Sequence, residues 1–199
     1  MLHAVFVLSG FAALLYQVVW QRSLYAIYGI NVESVTVVVT AFMLGLGLGS
    51  LAGGAVSKDP RRPALLWFAL VELGIGAFGF FSLALFREVG RATLHQSPLT
   101  TALVTFLLVL LPTLLMGSTL PLLVAHHVRA TGNVGRAVGG LYFANTLGSA
   151  AAAAAAPLAL FAPLGQAATV RIAVAINVAV AVGSYALFRS SRRPVEAGS

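Results

Sequence analysis

The sequence predicts an all-α integral membrane protein: six transmembrane helices in an inverted repeat of three plus three over residues 1–189, then a polar cytoplasmic tail at 190–199. Three observations carry this. Of the 199 residues, 59% are apolar and only 9% are charged, with a mean hydropathy of +0.96, whereas a soluble domain carries about 25% charged residues. The apolar residues fall in six runs, each at or above the ~20 residues that a ~30 Å hydrocarbon core requires. The cations fall singly at the ends of those runs and unequally between the two sides, as in membrane proteins anchored against headgroups.

The runs are Leu2 to Tyr28, Val32 to Val56, Ala64 to Phe86, Leu99 to Ala125, Val134 to Phe161 and Ala168 to Phe188. The first has no Lys or Arg ahead of it and is too long for the apolar part of a cleavable signal, so it stays as a helix. Lys58, Arg61, Arg62, Arg129, Arg136, Arg189, Arg192 and Arg193 lie on one side, and Arg22, Arg87, Arg91 and Arg171 on the other. Eight against four places both termini in the cytoplasm.

Small residues mark two helices for close contact. Ala41, Gly45, Gly49 and Gly53 recur at a four-residue step, as do Gly140, Ala144, Gly148, Ala152 and Ala156, and that step is one narrow helix face. Interior glycines weaken a helix in water. In lipid the backbone must bond internally, and the glycines then let another backbone approach. Spans one to three and four to six form triplets of opposite orientation, with a small-residue helix in the middle of each. That is the inverted repeat within one half of a major-facilitator transporter, where the second and fifth helices meet the other half. The faces Gly45/Gly49/Gly53 and Ala144/Gly148/Ala152 are therefore expected to pack helices or to meet a partner protein.

Several function classes are excluded. Gly47-Leu-Gly49-Ser-Leu-Ala52 fits a dinucleotide fingerprint, but the apolar sequence runs straight through the glycines with no solvated helix behind. The +7 net charge is scattered at span ends, which argues against nucleic acid. There are no cysteines, hence no disulfides or thiolate chemistry. No serine stands with a plausible base, and no carboxylates cluster, so no catalytic residue, metal or cofactor is assigned and the chain is not expected to be an enzyme.

Ser9-Gly10-Phe11, the run Tyr16-Gln17-Val18-Val19-Trp20-Gln21-Arg22, Ala41-Phe42-Met43-Leu44-Gly45, Glu72-Leu73-Gly74-Ile75-Gly76, the block from Leu111 to Pro121, and Asn145-Thr146-Leu147-Gly148 together resemble the membrane region of the bacterial transmembrane spermidine-synthase-like family, the fused major-facilitator/spermidine synthases. The likeness covers nearly the whole chain, and its most specific element is Pro112 to Pro121. It implies a multi-pass protein of the bacterial inner membrane. Members usually continue into a soluble aminopropyltransferase domain, whereas this sequence ends after the sixth span, so no enzymatic residue is carried over. The loop after span two also departs from the family pattern, since Lys58 precedes Asp59 where an acid usually precedes a base.

Glu72 is the one carboxylate deep in a span. Such a group is costly and marks either proton or cation coupling or a hydrogen bond that knits helices. Gln17 and Gln21 share a face and either line a cavity or bond a neighbouring helix; with Glu72 and Asn145 they form the candidate intramembrane polar site. Tyr16 belongs to the same patch. Trp20 and Arg22 read as interface anchors, with Arg22 paired to Glu33. Pro112 and Pro121 bend span four, and Thr113, Ser118 and Thr119 are placed to satisfy the freed carbonyls. The adjacent His126 and His127 point to different sides of a helix and make a poor metal pair; with Arg129 they face water or headgroups. Asn145 and Asn177 suit interhelical hydrogen bonds.

Two functions remain. The first is a non-catalytic membrane subunit, either the anchor of a separate soluble aminopropyltransferase-like enzyme or an accessory of a larger membrane complex. The alternative is a half-size major-facilitator-like transporter that pairs with itself or a homologous half, for polyamines or related cations. Besides lipid, the partner is another membrane protein or a second copy. The topology is checked with single cysteines in this cysteine-free chain: Asp59→Cys and Ser190→Cys should label only from the cytoplasm and Gln96→Cys from outside intact cells. Labelling of position 96 only after lysis would overturn the orientation.

Overall fold

A computed structural model describes residues 1–28 and 31–192, so the end of the expected tail, 193–199, lies outside the described residues. The described chain is helical without strands: α1 (Leu2–Tyr28), α2 (Asn31–Ser57), α3 (Ala64–Ala92), α4 (Pro98–Thr131), α5 (Val134–Ala155), a π-helical turn (Ala156–Phe161) and α6 (Ala162–Arg192). Helix starts follow local chemistry. Ser97 accepts a hydrogen bond from the Thr100 amide with Pro98 at the first helical position, and Asn133 accepts one from the Arg136 amide; both are standard caps. Gly132, at φ 71°, ends α4 in a left-handed conformation suited to glycine.

Five described stretches are long and apolar enough to cross a membrane: Leu2–Ile27, Val35–Ser57, Ala64–Ala92, Pro98–Thr131 and Val134–Ser191. The last two expected spans thus arrive as one stretch of 58 residues, which as a straight helix would run roughly 87 Å. It is not straight. Pro157 lies within the π-helical turn, where its missing N–H removes an ordinary helical bond, and Gly165 breaks the helix at φ 75°, ψ 177°, a conformation that L side chains avoid. Beyond the break the chain runs the other way along α1. In α5, Gly140 lies at His3 and Ser149 at Gly10; in α6, Gln166 bonds Ser23 and Asn177 bonds Tyr16.

The small-residue rows decide the packing. Along α2, Gly45 rests on Thr113, Gly49 on the Leu114 carbonyl and Gly117, and Gly53 on Ser118. α2 and α4 therefore run side by side in the same sense. Along α5, Gly148 rests on the backbone of Val7 and Phe11, and Ala144 and Ala152 are buried, which seats α5 on α1. A Cβ at Gly45, Gly49 or Gly148 would overlap the facing helix. These rows were expected to pack helices or to meet a partner protein; the chain's own helices fill them, α4 setting Gly117 and Ser118 opposite the α2 glycines and α1 setting the backbone of Val7 and Phe11 opposite Gly148. α3 and α6 pack on each other and back the two pairs.

Pro112 and Pro121 do not interrupt α4. The nearby hydroxyls donate to Val109, Leu110 and Ala41 (Thr113), Leu115 (Ser118) and Met116 (Thr119). Those are not the carbonyls of Leu108 and Gly117, which lose a helical donor to the prolines. At the other end of α4, the Arg129 guanidinium donates to the carbonyls of Ser57, Asp59 and Arg62 at 2.7–3.1 Å. It ties the α2–α3 loop to α4, while Asp59 turns inward on its own loop, accepting from the Arg61 amide and lying 3.6 Å from Arg62 Nε.

The seams make a prediction with an internal control. Gly49→Leu and Gly148→Leu should each lower monomer stability in detergent by about 1–3 kcal/mol, the usual cost of overpacking. Gly47→Leu, which meets open space, should not. Equal behaviour of all three in thermal unfolding would refute the seams.

Candidate polar groove and its buried carboxyl

Because α2 is held to α4 and α5 to α1, a groove of about 220 Å³ remains between the pairs, lined by Ser9 and Ala13 of α1, Leu46 and Ser50 of α2, Met116 and Thr119 of α4, and Tyr142 and Asn145 of α5. Ile75 of α3 and Asn177 of α6 form its floor. Glu72 lies just beneath, fully buried. Ser9 Oγ donates to Glu72 Oε1 at 2.5 Å, and Asn177 Nδ2 donates to Oε2 at 2.5 Å. Tyr16 OH in turn donates to Asn177 Oδ1 at 2.9 Å. Three helices thus meet on one carboxyl group, and neither ion pair among the described residues includes it. Both hydrogen bonds come from residues that also line the groove, so the groove reaches the carboxyl through Ser9 and Asn177.

Local sequence explains the placement. Gly76 lets α6 approach at Asn177, and Gly79 leaves room for the Tyr16 ring, so the small residues following Glu72 serve its partners. Above Tyr16 the bundle is closed by aromatic rings. Trp20 is fully buried; it stacks on Tyr16 at 5.1 Å and packs on Phe78, Phe42 and Phe86 at 5.4–6.2 Å. Since α1 and α3 run in parallel, this aromatic plug lies between the Glu72 cluster and the bundle end remote from the termini.

The expected four-residue site is divided. Glu72 and Asn145 do belong to the groove, one beneath it and one in its wall. Gln17 does not line it, and Gln21 lies in a separate cleft with Val18, Arg22, Tyr25, Pro157 and Phe161. Gln17 and Gln21 share one face of α1, but it is not the face on which Ser9 meets Glu72. Trp20 is core rather than interface. Arg22 places its guanidinium over the Phe161 ring at 5.4 Å instead of pairing with Glu33, a cation–π arrangement. His127 meets the His3 ring edge-on at 5.8 Å, a cross-helix contact that adjacent sequence numbers did not suggest. Sequence reasoning used Ser9 only as part of a motif and missed it as a carboxyl partner.

Comparison with protein-family models, curated proteins and solved structures finds no match.

The cluster is expected to stabilise the fold unevenly. Asn177→Leu removes a donor from Glu72 and the acceptor of Tyr16, and buried groups left unpaired cost about 1–3 kcal/mol. Ser9→Ala removes one donor only and should cost less, nearer the ~0.6 kcal/mol typical of a cross-helix hydrogen bond in a membrane protein. Thermal unfolding in detergent ranks them; a larger loss for Ser9→Ala would contradict the network.

Proposed function

We propose that the chain is a non-catalytic membrane unit that binds a small cation, one half of a transport pathway whose other wall is a second copy or a homologous half. The observation that carries this is the groove with a hydrogen-bonded carboxyl at its floor. A charged group at such depth is expensive and is retained where it meets ions or substrate. The aromatic plug between it and the bundle end remote from the termini suits a pathway closed at one end, as alternating transport needs. At about 220 Å³ the groove is smaller than the ~300–1,000 Å³ of complete small-molecule sites, in keeping with a half-site. On this reading the chain crosses the bacterial inner membrane six times with both termini cytoplasmic, Gly165 making the last reversal, and its triplets form the inverted repeat. The resemblance to transmembrane spermidine-synthase-like proteins points to polyamines or related cations.

The accessory or anchor reading drew part of its support from the small-residue rows, and those are occupied within the chain. What favours it now is the exposed apolar surface of α5, Tyr142, Phe143 and Leu147, beside the groove.

Equilibrium binding of labelled spermidine to the detergent-purified protein separates the two. Saturable binding that weakens about tenfold or more in Glu72→Gln, a loss of roughly 1.4 kcal/mol or more, supports the transport unit. No binding, together with a stoichiometric larger complex from mild detergent, would replace it with the accessory reading.

A further inference from the structure

The donors around Glu72 are the contacts that a ligand in the groove would meet first. The carboxyl oxygens are each engaged by one groove-lining donor, Ser9 Oγ and Asn177 Nδ2. Glu72 is fully buried beneath them, so a ligand reaches it only by taking over at least one of those bonds. A quaternary ammonium carries no N–H and leaves the displaced acceptor unpaired, which is costly in a buried site. A primary ammonium carries three N–H donors in the geometry of a lysine head group and replaces both while neutralising the carboxylate.

Displacing Asn177 has a further effect. Its Oδ1 is the acceptor for Tyr16 OH, and the Tyr16 ring stacks on Trp20 at 5.1 Å, which Phe42, Phe78 and Phe86 hold in the plug. Trp20 Nε1 is buried without a hydrogen-bond partner among the described residues, so packing rather than a hydrogen bond holds that side chain. We infer that the groove takes a primary ammonium group, which displaces Asn177 from Glu72, and that the Asn177–Tyr16–Trp20 chain passes this displacement to the plug. This rests on the cation-binding reading above and adds to it the head-group class and the coupling route.

The chain has two tryptophans, Trp20 in the plug and Trp67, which is 41% exposed on α3. In a Trp67→Phe background the intrinsic fluorescence therefore reports on Trp20. The probes are butylammonium and butyltrimethylammonium, which share an alkyl chain and differ in N–H donors, with binding measured separately by calorimetry. The expected result is that butylammonium binds at least about tenfold more tightly than its trimethyl analogue and shifts Trp20 emission. Tyr16→Phe should keep that binding while losing most of the emission shift, and Tyr185→Phe, exposed on α6 outside both the groove and the relay, should keep both. Equal affinity for the two probes would overturn the head-group assignment. Binding without an emission change, or an undiminished change in Tyr16→Phe, would overturn the relay and leave cation binding standing. No binding of butylammonium, butyltrimethylammonium or spermidine would overturn both the inference and the reading it rests on.

Discussion

Helices in lipid gain nothing by hiding apolar surface from one another, since the surrounding acyl chains are equally apolar. What holds them is close backbone approach, and this chain supplies it along two lines. Gly45, Gly49 and Gly53 of α2 meet Thr113, Gly117 and Ser118 of α4, while Gly148 of α5 meets Val7 and Phe11 of α1. Each seam commits a pair of helices. The groove is the space left between the two pairs, and α3 and α6, which close its back, carry Glu72 and Asn177 to its floor.

The polar cluster is the second consequence. A carboxyl group in the core needs donors, and each comes from a different helix: Ser9 from α1 and Asn177 from α6, with Tyr16 orienting Asn177. The same bonds that fasten α1, α3 and α6 together are the ones a ligand would have to exchange. A ligand-binding role would therefore not exclude the structural one, because a network of groove-lining donors can be both a clamp and a set of replaceable contacts.

Much of this was legible in the sequence. The helix spans followed from apolar length, the two seams from the four-residue step of small residues, and Glu72 from its depth in a span. The companions of each were not legible. Nothing in the local pattern showed that Gly117 and Ser118 would answer the α2 glycines, so the rows did not reveal whether a helix of this chain or a partner would fill them. Trp20 reads as an interface residue beside Arg22, and only the facing aromatic rings of α2 and α3 make it core. Gln17 and Gln21 share a helix face, yet which face meets Glu72 depends on how α1 is rotated by the α5 seam. The break at Gly165 falls in the gap expected between Phe161 and Ala168, whereas the π-helical turn that accommodates Pro157 just before it was not legible. Arg129 reads as a loop cation, though its fork fits the carbonyls of a loop some seventy residues away in sequence.

The seams are most directly tested by disulfide formation in a Gly53→Cys/Ser118→Cys double variant of this cysteine-free chain. A Cβ built at Gly53 lies 2.9 Å from that of Ser118, inside the ~3.5–4.5 Å Cβ separation of a disulfide, so the bond forms once the seam opens by about 1 Å. Mild oxidation should therefore give a cross-linked monomer, seen by intact mass and by faster migration under non-reducing conditions. A disulfide-linked dimer with no intrachain product would mean that the α2 glycine face belongs to a partner, and would contradict the arrangement from which the groove and its buried carboxyl follow.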